Sequence, residues 1–444
     1  MEKEKKLEKL PFVFAPLWAS KSISVGISAL LIMQFTFYAT ETVGLSVGVI
    51  GTIIFLTKLL DAAIGVVVGF IVEKTNTRFG KGRFYDLFLI PMWLCIILIF
   101  STPNFDMIGK IIYAFTFYAL ANAVFTALVN GGELAYMGRA IQNDHHRAQV
   151  TSVAGLLVML VCTGGAILLP QLMASWGKEP GGWQLIAFVY AIPMCIIGML
   201  RFFTIKEKPI ESENTTQEKT IGIREGLNLI FNNKYVFVLA PAALLCNLTQ
   251  TISVIVATYY FTYVIGNLGL MSFVSMLGLL APLVLLLFPI ALRTIGGMNF
   301  VRIGLMLASV GNLLKLIDLN SLPLLIASQL LANTGLSVFL MMQGYFVLQV
   351  IDYGEKKHGR RIDGLSSAVN GLYGKIGAGF ASLLIGGLMG LAGYVNLSSQ
   401  QSETAISAII ALYSWIPSIL CVLILVTIHF YNLEKKMDKN KREE

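Results

Sequence analysis

Twelve apolar segments, each about eighteen residues or longer, recur along this 444-residue chain. Only 13% of the residues are charged, against about 25% in ordinary soluble domains. Segments of this length need a lipid bilayer around them, so we predict an all-α membrane protein with twelve transmembrane helices. The predicted spans lie near 15–38, 47–72, 87–104, 108–138, 150–176, 183–204, 235–264, 268–293, 301–318, 322–352, 365–394 and 406–431.

The positive charges predict the orientation of the spans. Most of the 33 Lys and Arg residues lie in the tails and beside the loops that follow spans 2, 4, 6, 8 and 10, whereas the loops on the other side carry only Lys110 and Lys178. Because positive charge is retained on the cytoplasmic side, we expect a multi-pass protein of the cell membrane with both termini in the cytoplasm. This pattern explains the net charge of +8, which therefore gives no indication of nucleic-acid binding.

A polar linker divides the chain into two halves of six spans each. A weak repeat supports this division, because FYATETVG at 37–44 matches YYFTYVIG at 259–266 in its Tyr, Thr and Gly positions. Paired six-span halves are typical of the major facilitator fold, in which the substrate site lies near the bilayer midplane between the halves. The predicted units are an N-terminal half at 1–205, a cytoplasmic linker at 206–233, a C-terminal half at 234–432 and a cytoplasmic tail at 433–444.

Ionisable side chains inside the spans mark a candidate site. A charge at the bilayer centre costs about 2.5 to 3.5 kcal/mol on insertion scales, so such groups usually pair or line an aqueous path. Lys58 and Asp61 share a helix face in span 2, and Lys375 lies deep in span 11 without an acidic neighbour in sequence. Asp61 is the expected partner of Lys375, in a coupling site or in a purely structural cluster. Lys315 is close to the end of span 9 and is expected to extend to the membrane surface.

A stripe of polar residues follows one face of span 4. Such a stripe needs water, ligand or partner groups along its length. We predict that it faces the solute together with residues of spans 1, 7 and 11. The alternative is that these amides and hydroxyls only join helices, and that Lys21 and Glu133 reach the headgroup region. The candidate solute-binding residues are Tyr118, Asn122, Thr126, Asn130, Glu133, Lys21, Asn247, Gln250 and Asn370.

Motifs of enzymes are absent from the sequence. It contains no P-loop, no GxSxG and no HExxH, and its five cysteines have no paired spacing. We therefore expect no catalysis, no cofactor and no resident metal. Without an ATP-binding motif, any uphill transport would use an ion gradient, with H⁺ or Na⁺ as the coupling ion.

Four segments together resemble the glycoside–pentoside–hexuronide cation symporters, the family of melibiose permease. They are TETVGLSVGVIGTIIFLTKLLDAAIG at 40–65, KTNTRFGKGRF after span 2, VLQVIDYGEKKHGRR at 347–361 and GLAGYV at the end of span 11. The resemblance implies that Lys58 and Asp61 begin a cation site in helix 2, and that Lys375 is the helix 11 lysine beside it.

The sequence departs from the family at several acids. The second aspartate of the cation site is Gly65 here, the acid of the helix 1 Lys–Asp pair is Ser22, and the helix 4 aspartate is Asn130. Glu133 is a candidate for the role of the missing helix 4 acid. Since hard cations are held by several oxygens and a proton needs one titratable group, a proton is favoured over sodium as the coupling ion.

These observations predict a secondary active transporter that moves a small polar solute by alternating access. A sugar, a glycoside or a hexuronide is expected, and the excess of interior lysines favours an anionic solute. Asp61 would bind the coupling ion, poised by Lys58 and Lys375, and a monomer in the lipid bilayer is expected. The alternatives are an exporter or carrier of an amphipathic, lipid-like compound and a membrane sensor that does not transport.

Overall fold

Helices joined by short loops make up the part of the chain that the structure describes. This structure is a computed structural model, and it describes residues 13–141, 143–179, 181–207, 233–277, 290–291, 294–319, 321–358, 363–398 and 400–433. Ten of the described helices are long and apolar enough to cross a membrane. We number the helices as follows: α1 Phe14–Val43, α2 Val47–Lys74, α3 Leu89–Ile99, α4 Met107–Ala140, α5 Asp144–Trp176, α6 Gly182–Thr204, α7 Val236–Val264, α8 Met271–Leu277, α9 Gly297–Leu314, α10 Leu322–His358, α11 Asp363–Leu391 and α12 Glu403–His429.

Two of the twelve predicted spans are not among the ten. Span 3 is shorter than predicted, because its α-helix begins only after the 3-10 helix Arg83–Phe88 and ends at Ile99, which leaves α3 with eleven residues. Span 8 begins as α8, and the rest of it, up to residue 289, lies outside the described residues. The full length of span 8 therefore stays a prediction.

The sequence repeat corresponds to a repeated backbone feature. Both α1 and α7 finish in a π-helical turn, Ala39–Val43 in the first and Tyr260–Val264 in the second. A glycine with positive φ follows each turn, Gly44 at 81° and Gly266 at 73°. Only glycine adopts this conformation at no steric cost, which explains why it occurs in both copies of the repeat.

Small residues bring α2 and α11 into close contact. A Cβ atom on Gly51 would lie 2.5 Å from the carbonyl oxygen of Ser382, and one on Gly386 would lie 2.7 Å from that of Val47. Close backbone approach at small residues is a common way for helices to pack within a bilayer. This contact joins the first half (residues up to 207) to the second half (residues from 233).

Hydrogen bonds join the two halves at one end of the bundle, which we call the distal end because it lies opposite the chain termini. The hydroxyl of Thr40 lies 2.9 Å from that of Tyr259. The Glu41 carboxylate accepts from the hydroxyl of Tyr394 at 2.5 Å and from the hydroxyl of Tyr263. The ends of α1 and α7 and the segment that follows α11 are therefore held together around one carboxylate.

Candidate functional site

Asp61 of α2 and Lys375 of α11 form an ion pair between the two halves. The ammonium of Lys375 donates to Oδ1 of Asp61 at 2.9 Å and to its main-chain oxygen at 3.3 Å. The Asp61 side chain is 11% exposed and that of Lys375 is 37% exposed. The sequence predicted this pairing, and the contact is present. The role of the pair in coupling stays a prediction.

Two positions on α2 beside the pair, Lys58 and Gly65, determine how many charged groups surround Asp61. Lys58 lies three residues before Asp61 on the same helix, so two lysines surround one carboxylate. A Cβ atom on Gly65 would lie 3.5 Å from the ammonium of Lys375. The position of the family's second acid therefore faces the same ammonium and offers no oxygen to it.

A second ionic cluster lies within the first half. The ammonium of Lys21 donates to Oε2 of Glu133 at 3.0 Å and to Oδ1 of Asn130 at 2.9 Å. The guanidinium of Arg201 donates to both oxygens of Glu133 at 2.9 Å and to both oxygens of Asp86 at 2.5 and 2.9 Å. Two cations and two anions balance one another in this cluster.

Arg201 is the centre of that cluster and was not identified from the sequence. Its side chain and that of Asp86 are each 1% exposed, and its guanidinium lies 4.7 Å from the ring centre of Trp18. Both residues stand at the ends of apolar segments, where their charges resembled those of a cytoplasmic loop. The polar stripe of span 4 was the available signal, because Glu133 at its end required a cation.

Most side chains of the predicted stripe make their contacts inside the first half. Tyr118 is buried and its ring packs against that of Phe35, with 4.6 Å between the ring centres. The Thr126 hydroxyl donates to the carbonyl of Ala121 at 2.8 Å. The Nδ2 atom of Asn122 is buried and has no hydrogen-bond partner among the described residues.

The predicted solute-binding residues of the second half have different surroundings. Asn247 donates to the carbonyl of Ala243 in its own helix at 2.9 Å, and the side chain of Asn370 lies outside the described residues. Gln250 lines a cavity of about 440 Å³ between α1, α5, α7, α8 and α10. Of the predicted solute-binding residues, it alone is among the described residues that line this cavity.

The cavity is lined by polar and apolar side chains, and no charged side chain is among its described lining residues. Its polar residues are Gln34, Thr163, Gln250, Ser253, Ser275, Gln329, Asn333 and Ser337. Its apolar residues include Met33, Met159, Met271 and Met341. Sequence reasoning missed Gln329 and Asn333, although both are amides inside an apolar span.

The expectation that Lys315 extends to the membrane surface was wrong. Its side chain is 1% exposed. The ammonium donates to Oδ1 of Asn312 at 2.9 Å and to the carbonyl of Tyr413 at 3.0 Å, and it lies 3.9 Å from the Tyr413 ring centre. These groups satisfy the ammonium inside the bundle, so it has no need to reach the headgroups.

The long apolar helices, the two halves and the interior ion pairs define the class of a membrane transporter. The model of the family described as MFS/sugar transport protein matches residues 17–435, and the chain belongs to this family. It is similar to an uncharacterized symporter of Bacillus subtilis (strain 168), YnaJ, with 30% identity over 91% of this chain and 88% of the relative. It is also similar to the isoprimeverose transporter of Lactiplantibacillus pentosus, with 27% identity over 90% of this chain and 84% of the relative.

Solved structures of transporters share the fold. A D-xylose-proton symporter superposes with a TM-score of 0.64 at 14% identity, covering 94% of this chain and 96% of its own. A nucleoside transporter superposes with a TM-score of 0.60 at 13% identity, covering 92% and 99%. The predicted fold, a major facilitator fold, is confirmed, and so is the predicted class, a secondary transporter resembling the sugar symporters.

Proposed function

We propose that this protein is a symporter that carries a sugar or glycoside across the cell membrane together with a proton. The observation that carries the proposal is the ion pair between Asp61 and Lys375, because it joins the two halves and places a titratable carboxylate where they meet. The names of the relatives support the solute class, since one is an isoprimeverose transporter and another a glucuronide carrier protein homolog.

The pair offers a simple means of coupling. While Asp61 is ionised, Lys375 holds α11 against α2 through a charge-assisted hydrogen bond, which is stronger than a neutral one. A proton on Asp61 removes the negative charge and weakens the contact between the halves. The free energy of ion binding is thereby linked to the relative position of the halves, which is what alternating access requires.

The distal end would face the outside of the cell. The positive charges beside the termini support this orientation. The hydrogen bonds around Glu41 then close the protein on the outer side. The structure would represent a state that releases its solute to the cytoplasm.

The experiment is uptake into proteoliposomes that contain the purified full-length protein. Labelled isoprimeverose, a xyloside and a glucoside are offered with an imposed pH gradient, with an imposed sodium gradient, or with neither, at a fixed membrane potential. We expect accumulation with the inward proton gradient only. Accumulation that follows sodium at constant pH would refute proton coupling, and a lack of exchange for every sugar and glycoside would refute the solute class.

A further inference from the structure

Two amide residues that line the cavity, Gln329 and Asn333, are connected to Lys315 by a chain of contacts. The Lys315 ammonium lies over the ring of Tyr413 and donates to its carbonyl. The Tyr413 hydroxyl donates to Oε1 of Gln329 at 3.2 Å, and Nε2 of Gln329 donates to Oδ1 of Asn333 at 3.1 Å. These contacts connect a buried cation to the surface of the cavity through Tyr413, Gln329 and Asn333.

These hydrogen bonds affect which polar groups the lining residues can offer to a solute. The oxygens of Gln329 and Asn333 each accept one hydrogen bond, and Asn333 also has its Nδ2 amide to offer as a donor. On α7, Gln250 and Ser253 also line the cavity, and each can donate and accept. A hydroxyl-bearing solute suits these groups, because each of its hydroxyls also donates and accepts.

The ion pairs of the interior lie elsewhere. Lys21 and Arg201 are paired with Glu133 and Asp86, and Lys375 is paired with Asp61. None of these residues is among the described residues that line the cavity. An anionic solute in the cavity would lose its hydration without gaining a cation from the described lining residues, which is unfavourable. The excess of interior lysines, from which the sequence favoured an anion, is therefore no guide to this site.

The lining of the cavity also has an apolar, adaptable part. Met159 of α5, Met271 of α8 and Met341 of α10 contribute unbranched, polarizable side chains to it. A volume of about 440 Å³ falls within the usual range for small-molecule sites, about 300 to 1,000 Å³. The cavity can hold a sugar ring together with an apolar substituent.

We propose that this cavity binds an uncharged, hydroxyl-bearing solute with an apolar part, and that Gln250 and Asn333 select it. Lys315 and Tyr413 are positioning residues, since they act on the solute only through Gln329 and Asn333. The proposal deepens the proposed function and rests on it. It chooses uncharged glycosides over hexuronides and places them on α7 and α10 instead of on the stripe of α4.

The experiment compares pairs of ligands that differ in one group. Nitrophenyl glucosides and galactosides are titrated by calorimetry into the purified full-length protein in detergent, beside the nitrophenyl hexuronides that carry a carboxylate in place of the hydroxymethyl group. We expect at least one uncharged member to bind more than tenfold tighter than its hexuronide. Equal or tighter binding of the hexuronides, or no binding by any uncharged member, would overturn the proposal.

Two tyrosines that stack on each other give a matched pair of variants. Tyr413→Phe keeps the ring above Lys315 and removes the donor to Gln329, so Kd should rise about three- to tenfold, the usual effect of one hydrogen bond. Tyr260→Phe is the control, because its ring stacks on Tyr413 at 4.5 Å and its buried hydroxyl has no partner among the described residues. It should leave Kd unchanged.

A structural effect is separated from a positioning effect by transport kinetics. Tyr413→Phe should raise KM and leave kcat and the unfolding temperature as in the wild type. Equal effects of the two variants, or a fall in kcat alone, would contradict the positioning role. If uncharged glycosides bind as expected but are not carried, the site stands and the proposed transport fails. If hexuronides are carried along a proton gradient and uncharged glycosides do not bind, transport stands and the site fails.

Discussion

Neutralising either of two carboxylates in the bundle should have different effects on transport and on stability. Asp61 pairs with Lys375 where the halves meet, and Asp86 pairs with Arg201 inside the first half. We expect Asp61→Asn to abolish accumulation against a gradient with a moderate loss of stability. We expect Asp86→Asn to lower the folded yield severely, because it leaves a cation in a closed environment.

The exposure of each ion pair determines how much folding free energy is lost when its carboxylate is neutralised. Both side chains of the Asp86–Arg201 pair are 1% exposed, and removing one partner of a buried pair costs about 3–5 kcal/mol of folding free energy. Arg201 keeps its bonds to Glu133, which places the loss near the lower limit. Lys375 is 37% exposed, so water can solvate it when Asp61 is neutral. The loss there should be about 1–2 kcal/mol, between the values for exposed and buried pairs.

The assay measures stability and transport on the same preparations. Unfolding temperatures are taken in detergent by size-exclusion chromatography after heating, and proteoliposomes are tested for accumulation and for exchange without a gradient. Asp61→Asn should retain exchange and lose accumulation. A variant in which Lys58, Asp61 and Lys375 are all neutral should recover the yield and still fail to concentrate the solute.

Two results would refute this reasoning. Accumulation by a well-folded triple variant would show that the cluster is structural and that coupling lies elsewhere. An unfolding temperature of Asp61→Asn as low as that of Asp86→Asn would show that the exposed ammonium is not solvated.

The remaining predictions concern the coupling ion, the distal end and the topology. Gly65→Asp should add carboxylate oxygens beside the ion pair and make uptake respond to sodium, which is measured by uptake against sodium concentration at constant pH. Glu41→Ala should release the distal end and increase the reaction of a cysteine at Gln34 with an impermeant thiol reagent added outside the cell; unchanged labelling would contradict a closing role for Glu41. In intact cells, a cysteine at Asn104 should be labelled by such a reagent and one at Thr77 should not, and the reverse result would overturn the orientation.

Local properties of the chain predicted the membrane class and most of the helices. Length and hydrophobicity alone decide whether a segment can cross a bilayer, because each helix satisfies its own backbone hydrogen bonds. The pairing of Asp61 with Lys375 was also predictable, since few acids occur within spans and a lysine at that depth needs one. The repeat at the ends of α1 and α7 was visible as well, although the role of Glu41 within it was not.

Other features depend on how the helices pack. The polar stripe of α4 was predicted to share one face, but a sequence does not state which neighbours its side chains meet. Arg201 and Asp86 are 115 positions apart and came together only through the packing of their helices. Asn333 and Gln250 lie on different helices, and the rotation of each helix about its own axis decides whether an amide faces the cavity or a neighbouring helix. Hydrophobicity determines that a helix enters the membrane, whereas its rotation is set by contacts with the other helices, which only the tertiary structure contains.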